Sequence, residues 1–244
     1  MKCAFRTIAR LARLQWIALA CLGSILIAAA DDPKSGPQPI VLTIRMPADA
    51  ELEIQSKKIQ GSGEVRRESI DPVKDAESHY VVKATWTECD TPRTVKRSLK
   101  LKPGQEAEVD LNLDLSADEK TILNLINKER EKAGLSPLKA DAKLNRVART
   151  HSLNMAKQNT LAHELDGKGP AERMKDAGYQ LRTFGENCGW GSRTPAAAVQ
   201  MWMNSEGHRE NILTGEFVDT GIGIATGKGG QKYYTQVFAI PAGK

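Results

Sequence analysis

From Ile40 onward, apolar residues recur at every second position. In IVLTIRM, Ile40, Leu42, Ile44 and Met46 share one face, and in YVVKATW, Tyr80, Val82, Ala84 and Trp86 do the same. In EAEVDLNL, Ala107, Val109, Leu111 and Leu113 point one way, while Glu106, Glu108, Asp110 and Asn112 point the other. Such alternation marks strands with one buried face, and antiparallel pairing suits a sheet whose other face is in water. GSG at 61–63 and KPG at 102–104 supply turns. Residues 40–114 are therefore expected to form a small antiparallel β-sandwich-like module.

At Ser116 the period changes. SADEKTILNLINKERE opens with the capping-box pair Ser116 and Glu119, continues with a helical stripe of Ile122, Leu123, Leu125 and Ile126, and is stopped by Gly134. A second helix is expected near 141–159, with Leu144, Val147, Ala148, His151 and Met155 on one face. GPAERMKDAG predicts a short third helix with Pro170 in its first turn. TPAAAVQMWM predicts a fourth, capped by Thr194 with Pro195 at its first position, and 205–213 a fifth. VDTGIGIAT and KYYTQVFAI, joined by GKGG, close the chain as a hairpin. Residues 116–244 thus read as an α+β domain with helices covering a sheet.

The formal charge of +5 on 244 residues suggests a basic protein, but Lys2, Arg6, Arg10 and Arg13 lie in a segment without acids. Setting these four aside leaves 31 basic against 30 acidic residues, which removes the electrostatic case for a nucleic-acid partner. Residues 1–30 have the layout of a signal peptide: a basic start, an apolar run from Trp16 to Ala30, and small residues before Asp31. The run is short for a membrane span, so export without a span after cleavage is expected. DDPKSGPQP at 31–39 is polar and proline-bearing, a linker. Cys3 and Cys21 fall in the removed segment. Cys89 and Cys188 remain, either as one disulfide or as free thiols.

Three of the four histidines fall in the second domain. His151, on an apolar helix face, reads as a core residue bonded to backbone. His163 lies beyond a helix end in NTLAHELDGKG, and Glu186 lies among the glycines of FGENCGW. WMNSEGHRENIL places Glu206 and His208 in a first helical turn, where Asn204 or Ser205 would cap and where a histidine tends to stay neutral. Two neutral imidazoles and a carboxylate would suit Zn²⁺ with an open position for water. If 186–188 is extended, Glu186 and Cys188 point to the same side. The thiol is then either a ligand or nucleophile near His163, or a small buried residue or partner of Cys89.

Two resemblances add to this. IRMPADAELEI, GSGEVRRES, YVVKATWTE and KLKPGQEAEVDL resemble a short PEGA-like β module of secreted bacterial envelope proteins, to which no activity attaches. LNLINKEREKAGLSPLKADAKLNRVARTHSLNMA, LAHE, GENCGW, MWMNSEGHRENIL, TGIGIA and YYTQVF, in that order over about 116–240, resemble the bacterial branch of the CAP superfamily, which includes cysteine-rich secretory proteins, antigen 5 and plant pathogenesis-related proteins. That resemblance implies an α-β-α sandwich, an extracellular setting, and a central cleft lined in many members by two histidines and two acids that hold a divalent cation, here Zn²⁺ or Ca²⁺. It assigns His163 and Glu186 as the first histidine and acid. The second histidine of eukaryotic members is replaced by Tyr233, and His208 of the GHR triplet is its bacterial counterpart. The second acid would fall at Ser205, leaving Glu206 as the nearest carboxylate. The expected metal set is His163, Glu186 and His208, with Glu206 also lining the cleft.

These readings describe an exported CAP-domain protein whose cleft binds a divalent cation or small ligand, its β module serving as an envelope-binding or spacer element. The alternatives are a metal- or histidine-dependent hydrolase of peptide or envelope polymer with Glu186 as general base, or an adhesive protein with a vestigial site. Neither a nucleophile-elbow motif nor a two-metal carboxylate set is present in the sequence.

Overall fold

The computed structural model describes residues 36–74, 76–88 and 91–243. The expected signal peptide, Cys3, Cys21 and Cys89 lie outside them. Seven strands build the first module: β1 (Ile40–Arg45), β2 (Glu51–Ile54), β3 (Lys57–Ile59), β4 (Val65–Ile70), β5 (Ser78–Glu88), β6 (Thr91–Leu101) and β7 (Glu106–Asp110). They form two sheets, ordered β4-β1-β7 and β3-β2-β5-β6. The alternating residues Ile40, Leu42, Ile44, Tyr80, Val82 and Ala84 are all buried in the core between them. The expectation of uniformly antiparallel pairing is corrected at one place: β1 and β7 run parallel, Val41 opposite Glu106 through Arg45 opposite Asp110. Alternation reports which face is buried, not which distant strand lies alongside or in which direction.

The second module contains α1 (Ala117–Lys132), β8 (Lys139–Ala140), α2 (Ala142–Gln158), α3 (Pro170–Asp176), β9 (Leu181–Trp190), α4 (Pro195–Met203), α5 (Glu206–Leu213), β10 (Asp219–Thr226) and β11 (Lys232–Pro241). The helix boundaries follow local chemistry. Ser116 and Glu119 close a reciprocal capping box on α1, and Gly134 just beyond its end takes φ +72°. Asp141 accepts from the Lys143 and Leu144 amides at the start of α2, whose last turn ends on Asn159 in the left-handed region. Thr194 accepts from the Ala197 amide at the start of α4. On α5, Ser205 is the N-cap residue, but its side chain makes no capping bond, and Asn204 ends α4 instead. The expected capping role of WMNSEGHRENIL is therefore absent.

The sheet runs β8-β10-β11-β9, with helices on both faces. Along β11 every residue from Tyr233 to Ile240 is buried. Tyr234, Phe238 and Ile240 pack against α1, α4 and α5, while Val237 and Ala239 pack against α2 and α3. This is an α-β-α sandwich. Helix α2 lies unusually close to the sheet because β10 presents glycines to it. A Cβ on Gly221 would fall 2.1 Å from the Leu144 carbonyl carbon, and one on Gly223 would fall 2.2 Å from that of Ala148. At this close approach the Asn145 side chain accepts from the Ile222 amide (2.9 Å), and the Ser152 hydroxyl donates to the Gly223 carbonyl (3.0 Å).

Both modules belong to one compact unit beginning at Pro37. Arg149 of α2 joins them. Its guanidinium pairs with Glu119 of α1 (2.6 Å) and Glu88 at the end of β5 (3.1 Å), and also donates to the Asp114 carbonyl. The three side chains are 7%, 3% and 6% exposed for Arg149, Glu119 and Glu88. A second buried arginine, Arg130 of α1, donates to the carbonyls of Ser136, Ile212, Thr214 and Phe217, tying the segment after α5 to α1.

Candidate functional site

Strand β9 carries the centre of the site, although its sequence LRTFGENCGW shows no alternation. Antiparallel register with β11 places Glu186 opposite Val237 and Cys188 opposite Thr235. Both side chains point to the side covered by α2, and the Cys188 thiol donates to Glu186 Oε1 at 3.5 Å. Cys188 is a free, buried thiol.

Glu186 is the hub. His163 Nδ1 donates to its Oε1 at 2.8 Å, and the Arg173 Nη2 donates to its Oε2 at 2.5 Å. The Glu186 side chain is 2% exposed and that of His163 is 57% exposed, so the imidazole forms a lid over a buried carboxylate. Burial alone pushes the Glu186 carboxyl up. The hydrogen bond from His163 and the charges of Arg173 and His151 outweigh it, holding the carboxyl below its ordinary range. The hydrogen bond to Glu186 in turn raises His163 against the effect of its own partial burial. With Nδ1–H spent on the carboxylate, Nε2 is the nitrogen His163 offers.

His208 reaches this place from α5, where its carbonyl accepts from Asn187 Nδ2 at 3.0 Å, next to Glu186 on β9. Its Nδ1 is buried without a partner, and burial followed by the charge of His163 lowers its pKa. Glu206 is exposed on the first turn of α5, with no side-chain partner among the described residues. His151 is buried as expected, its Nε2 donating to the Ala162 carbonyl at 2.8 Å, and burial lowers its pKa. Its nearness to the hub, 4.0 Å from Nε2 to Glu186 Oε1, was not visible in the sequence. Tyr233 is fully buried, and its hydroxyl donates to Asn159 Oδ1.

Arg173 is the residue that sequence reasoning missed. It projects from α3, 11% exposed, and its Nη1 donates to the carbonyls of His163 and Lys168, both at 2.8 Å. It therefore holds the loop bearing His163 and the carboxylate beneath it together. The sequence signal was weak: one basic residue on a short amphipathic helix.

Could these residues hold a divalent cation? Ligand atoms of His151, Glu186 and Cys188 lie within 4.8 Å of one another. Most of their donor atoms are engaged: His151 Nε2 with a carbonyl, the thiol with Glu186, and both Glu186 oxygens with His163 and Arg173, while His151 Nδ1 is buried without a partner. Burial and the neighbouring carboxylate also push the Cys188 thiol up, against the thiolate that metals require. A cation among this trio would have to displace the Arg173 or His163 contact to Glu186 and take the proton of the Cys188 thiol. Among the described residues, the imidazole nitrogens without a protein partner include His163 Nε2 and the orphaned Nδ1 atoms of His208 and His151.

Among proteins of known sequence, residues of this chain align with the uncharacterized protein YkwD of Bacillus subtilis at 44% identity over 110 residues, covering 45% of this chain and 43% of that protein. They also align with the uncharacterized membrane protein YlbC of the same organism at 35% identity over 124 residues, covering 50% of this chain and 34% of that protein. The aligned stretch thus spans less than half the length of either relative. Among solved structures, an outer surface protein from Borrelia burgdorferi superposes with a TM-score of 0.50 at 22% identity, over 53% of this chain and 96% of that one, a likeness of fold. The CAP family profile, described as the cysteine-rich secretory protein family, matches residues 123–238 and does not extend into the β module. With the α-β-α sandwich in place and the family's motifs on the elements that build it, residues 123–238 form a CAP domain and belong to the cysteine-rich secretory protein family.

Proposed function

We propose that the chain is an exported binding protein whose CAP cleft captures a divalent cation through the imidazoles of His163 and His208, with Glu186 orienting His163 from beneath. The observation that carries this is the His163–Glu186 pair: a half-exposed imidazole with Nδ1 fixed on a buried carboxylate at 2.8 Å. Proteins orient a metal-binding imidazole in this way, the carboxylate setting the tautomer and raising the basicity of the other nitrogen. His208, with a ring nitrogen that has no protein partner, supplies the second donor. Imidazole donors favour Zn²⁺ over Ca²⁺, which takes oxygen ligands, and two protein donors leave positions open for water or a small ligand. Export is supported by the layout of residues 1–30, and the β module then serves as an envelope-binding or spacer element.

The test is titration of Zn²⁺ into chelator-stripped protein. Stoichiometric binding is expected, weakened at least about tenfold by His163→Ala and by His208→Ala, since each removes one of two protein ligands. The same dyad is also the geometry of a general base, which favours the hydrolase as a second reading. Turnover of a peptide library that disappears in His163→Ala would select it. Parent protein that binds no Zn²⁺ removes the cation reading.

A further inference from the structure

The cleft already contains a cation of its own. We propose that Arg173 occupies the cation position over Glu186, keeping that carboxylate out of metal coordination and setting the cleft's affinity for divalent ions. The inference rests on the reading of the cleft given above and concerns which of its groups can act as ligands.

The geometry argues for it in three steps. Arg173 Nη2 lies 2.5 Å from Glu186 Oε2, so the oxygen not used by His163 is filled by a guanidinium proton. Guanidinium groups stay charged at any pH a folded protein meets, so this occupant does not leave by deprotonation, as an imidazole or ammonium would. The group is also held from behind, Nη1 being anchored on the carbonyls of His163 and Lys168, and it cannot swing away without releasing the loop that carries His163. Its Nε is buried without a partner, so the side chain's position follows from its contacts to Glu186 and the loop and from no other polar group.

A divalent ion approaching Glu186 therefore meets a fixed positive charge hydrogen-bonded to the carboxylate, with the imidazole of His163 on the other oxygen. Such an ion binds to the outer nitrogens instead, and binds weakly. Removing the guanidinium would return Oε2 to the cleft as a lone-pair donor and delete the repulsion in one step. Loss of a ligand-contacting group ordinarily weakens metal binding, so a gain of affinity on deleting Arg173 is a result that a merely structural role does not give.

Zn²⁺ affinity is measured by competition with a chromophoric chelator for the parent, Arg173→Met, Arg173→Lys and the double variant Arg173→Met with Glu186→Gln, with thermal melts in chelator confirming that each is folded. Arg173→Met is expected to bind roughly ten- to a hundredfold more tightly than the parent, the scale on which neighbouring groups tune metal affinity. Arg173→Lys, which keeps the charge but loses the fork, should not gain, and the double variant should lose the gain. Arg173→Met that binds no better than the parent overturns the proposal. So does an equal gain in Arg173→Lys, which would trace the effect to loosening of the loop.

The two readings fail separately. A parent that binds no Zn²⁺ beside an Arg173→Met variant that binds through Glu186 removes the cation reading and keeps this one, and the reverse pattern does the opposite. Should Arg173→Met not fold, the parent itself decides. In a crystal structure of the Zn²⁺-soaked parent the ion should lie on imidazole nitrogen with Glu186 still paired to Arg173, and an ion bonded to a Glu186 oxygen, or a parent with no ion on either imidazole, overturns the proposal.

Discussion

Replacing Arg149 by Met tests how the β module is joined to the CAP domain. The guanidinium is 7% exposed and serves two carboxylates that are themselves almost fully buried, Glu88 at 3.1 Å and Glu119 at 2.6 Å. Methionine keeps the length and the apolar stem of the side chain, so the change is essentially the removal of one charge. Removing one partner from a buried ion cluster costs about 3–5 kcal/mol, because the remaining charges stay desolvated and uncompensated. Here the lower end applies. Glu119 retains the Ser116 amide at 2.8 Å, and Glu88 retains Arg93 at 3.0 Å. A loss of about 3 kcal/mol lowers Tm by about 6–12 °C in a protein of this size. Urea and thermal unfolding of the two proteins at neutral pH measure it, and the urea slope should be unchanged if the folded state is otherwise preserved. A Tm within about 2 °C of the parent would mean that the cluster contributes little, and that water already reaches the carboxylates at this junction.

Three further outcomes are expected. Gly223→Ala should destabilise by about 3 kcal/mol, because its Cβ would fall 2.2 Å from the Ala148 carbonyl carbon, and a neutral result in urea unfolding would show that α2 can lift off the sheet. A fragment spanning 116–244 should unfold in one cooperative transition, since the apolar clusters around β11 contain no residue of the β module; a broad transition refutes independence. The third concerns pH. His163 is raised above 6.5, so its pairing is fully present below that value and is lost as pH climbs through the raised one. Glu186 is lowered below 4.5, so its contribution is present above 4.5 and lost as pH falls through the depressed value. In chelator, the Tm gap between the parent and His163→Ala should therefore be widest between these ordinary values and close toward alkaline pH. A gap that widens with pH contradicts the assignment.

The elements with a regular period were legible in the sequence. Ile40, Leu42 and Ile44 announced their strand because one face meets a core and the other water, and Ser116 with Glu119 announced the start of α1 because the capping bonds are local. The parallel neighbour of β1 was not legible, because β7 arrives from 65 positions away, Val41 pairing with Glu106, and alternation carries no direction. Strand β9 was missed for another reason. It is fixed by its ladder with β11 and by helices above it, so its own sequence need not alternate. In the site, His163 and Glu186 could be named from their motifs. Arg173, Arg149 and Arg130 could not, since a buried arginine looks in sequence like any surface one until distant carboxylates and carbonyls are brought to it.

Strand β9 is also the outermost strand of its sheet, and an outer strand is where a second chain can add itself. At the site that opportunity is closed. The carbonyl of Glu186 accepts from Asn211 Nδ2 at 3.3 Å, and that of Cys188 accepts from Trp202 Nε1 at 3.2 Å, so helices α5 and α4 spend side-chain donors on the outward backbone. A passing strand meets these two carbonyls already bonded, which disfavours edge pairing where the carboxylate sits. The same stitching leaves the imidazole, carboxylate and guanidinium of His163, Glu186 and Arg173 as the groups that mark this stretch of the sheet.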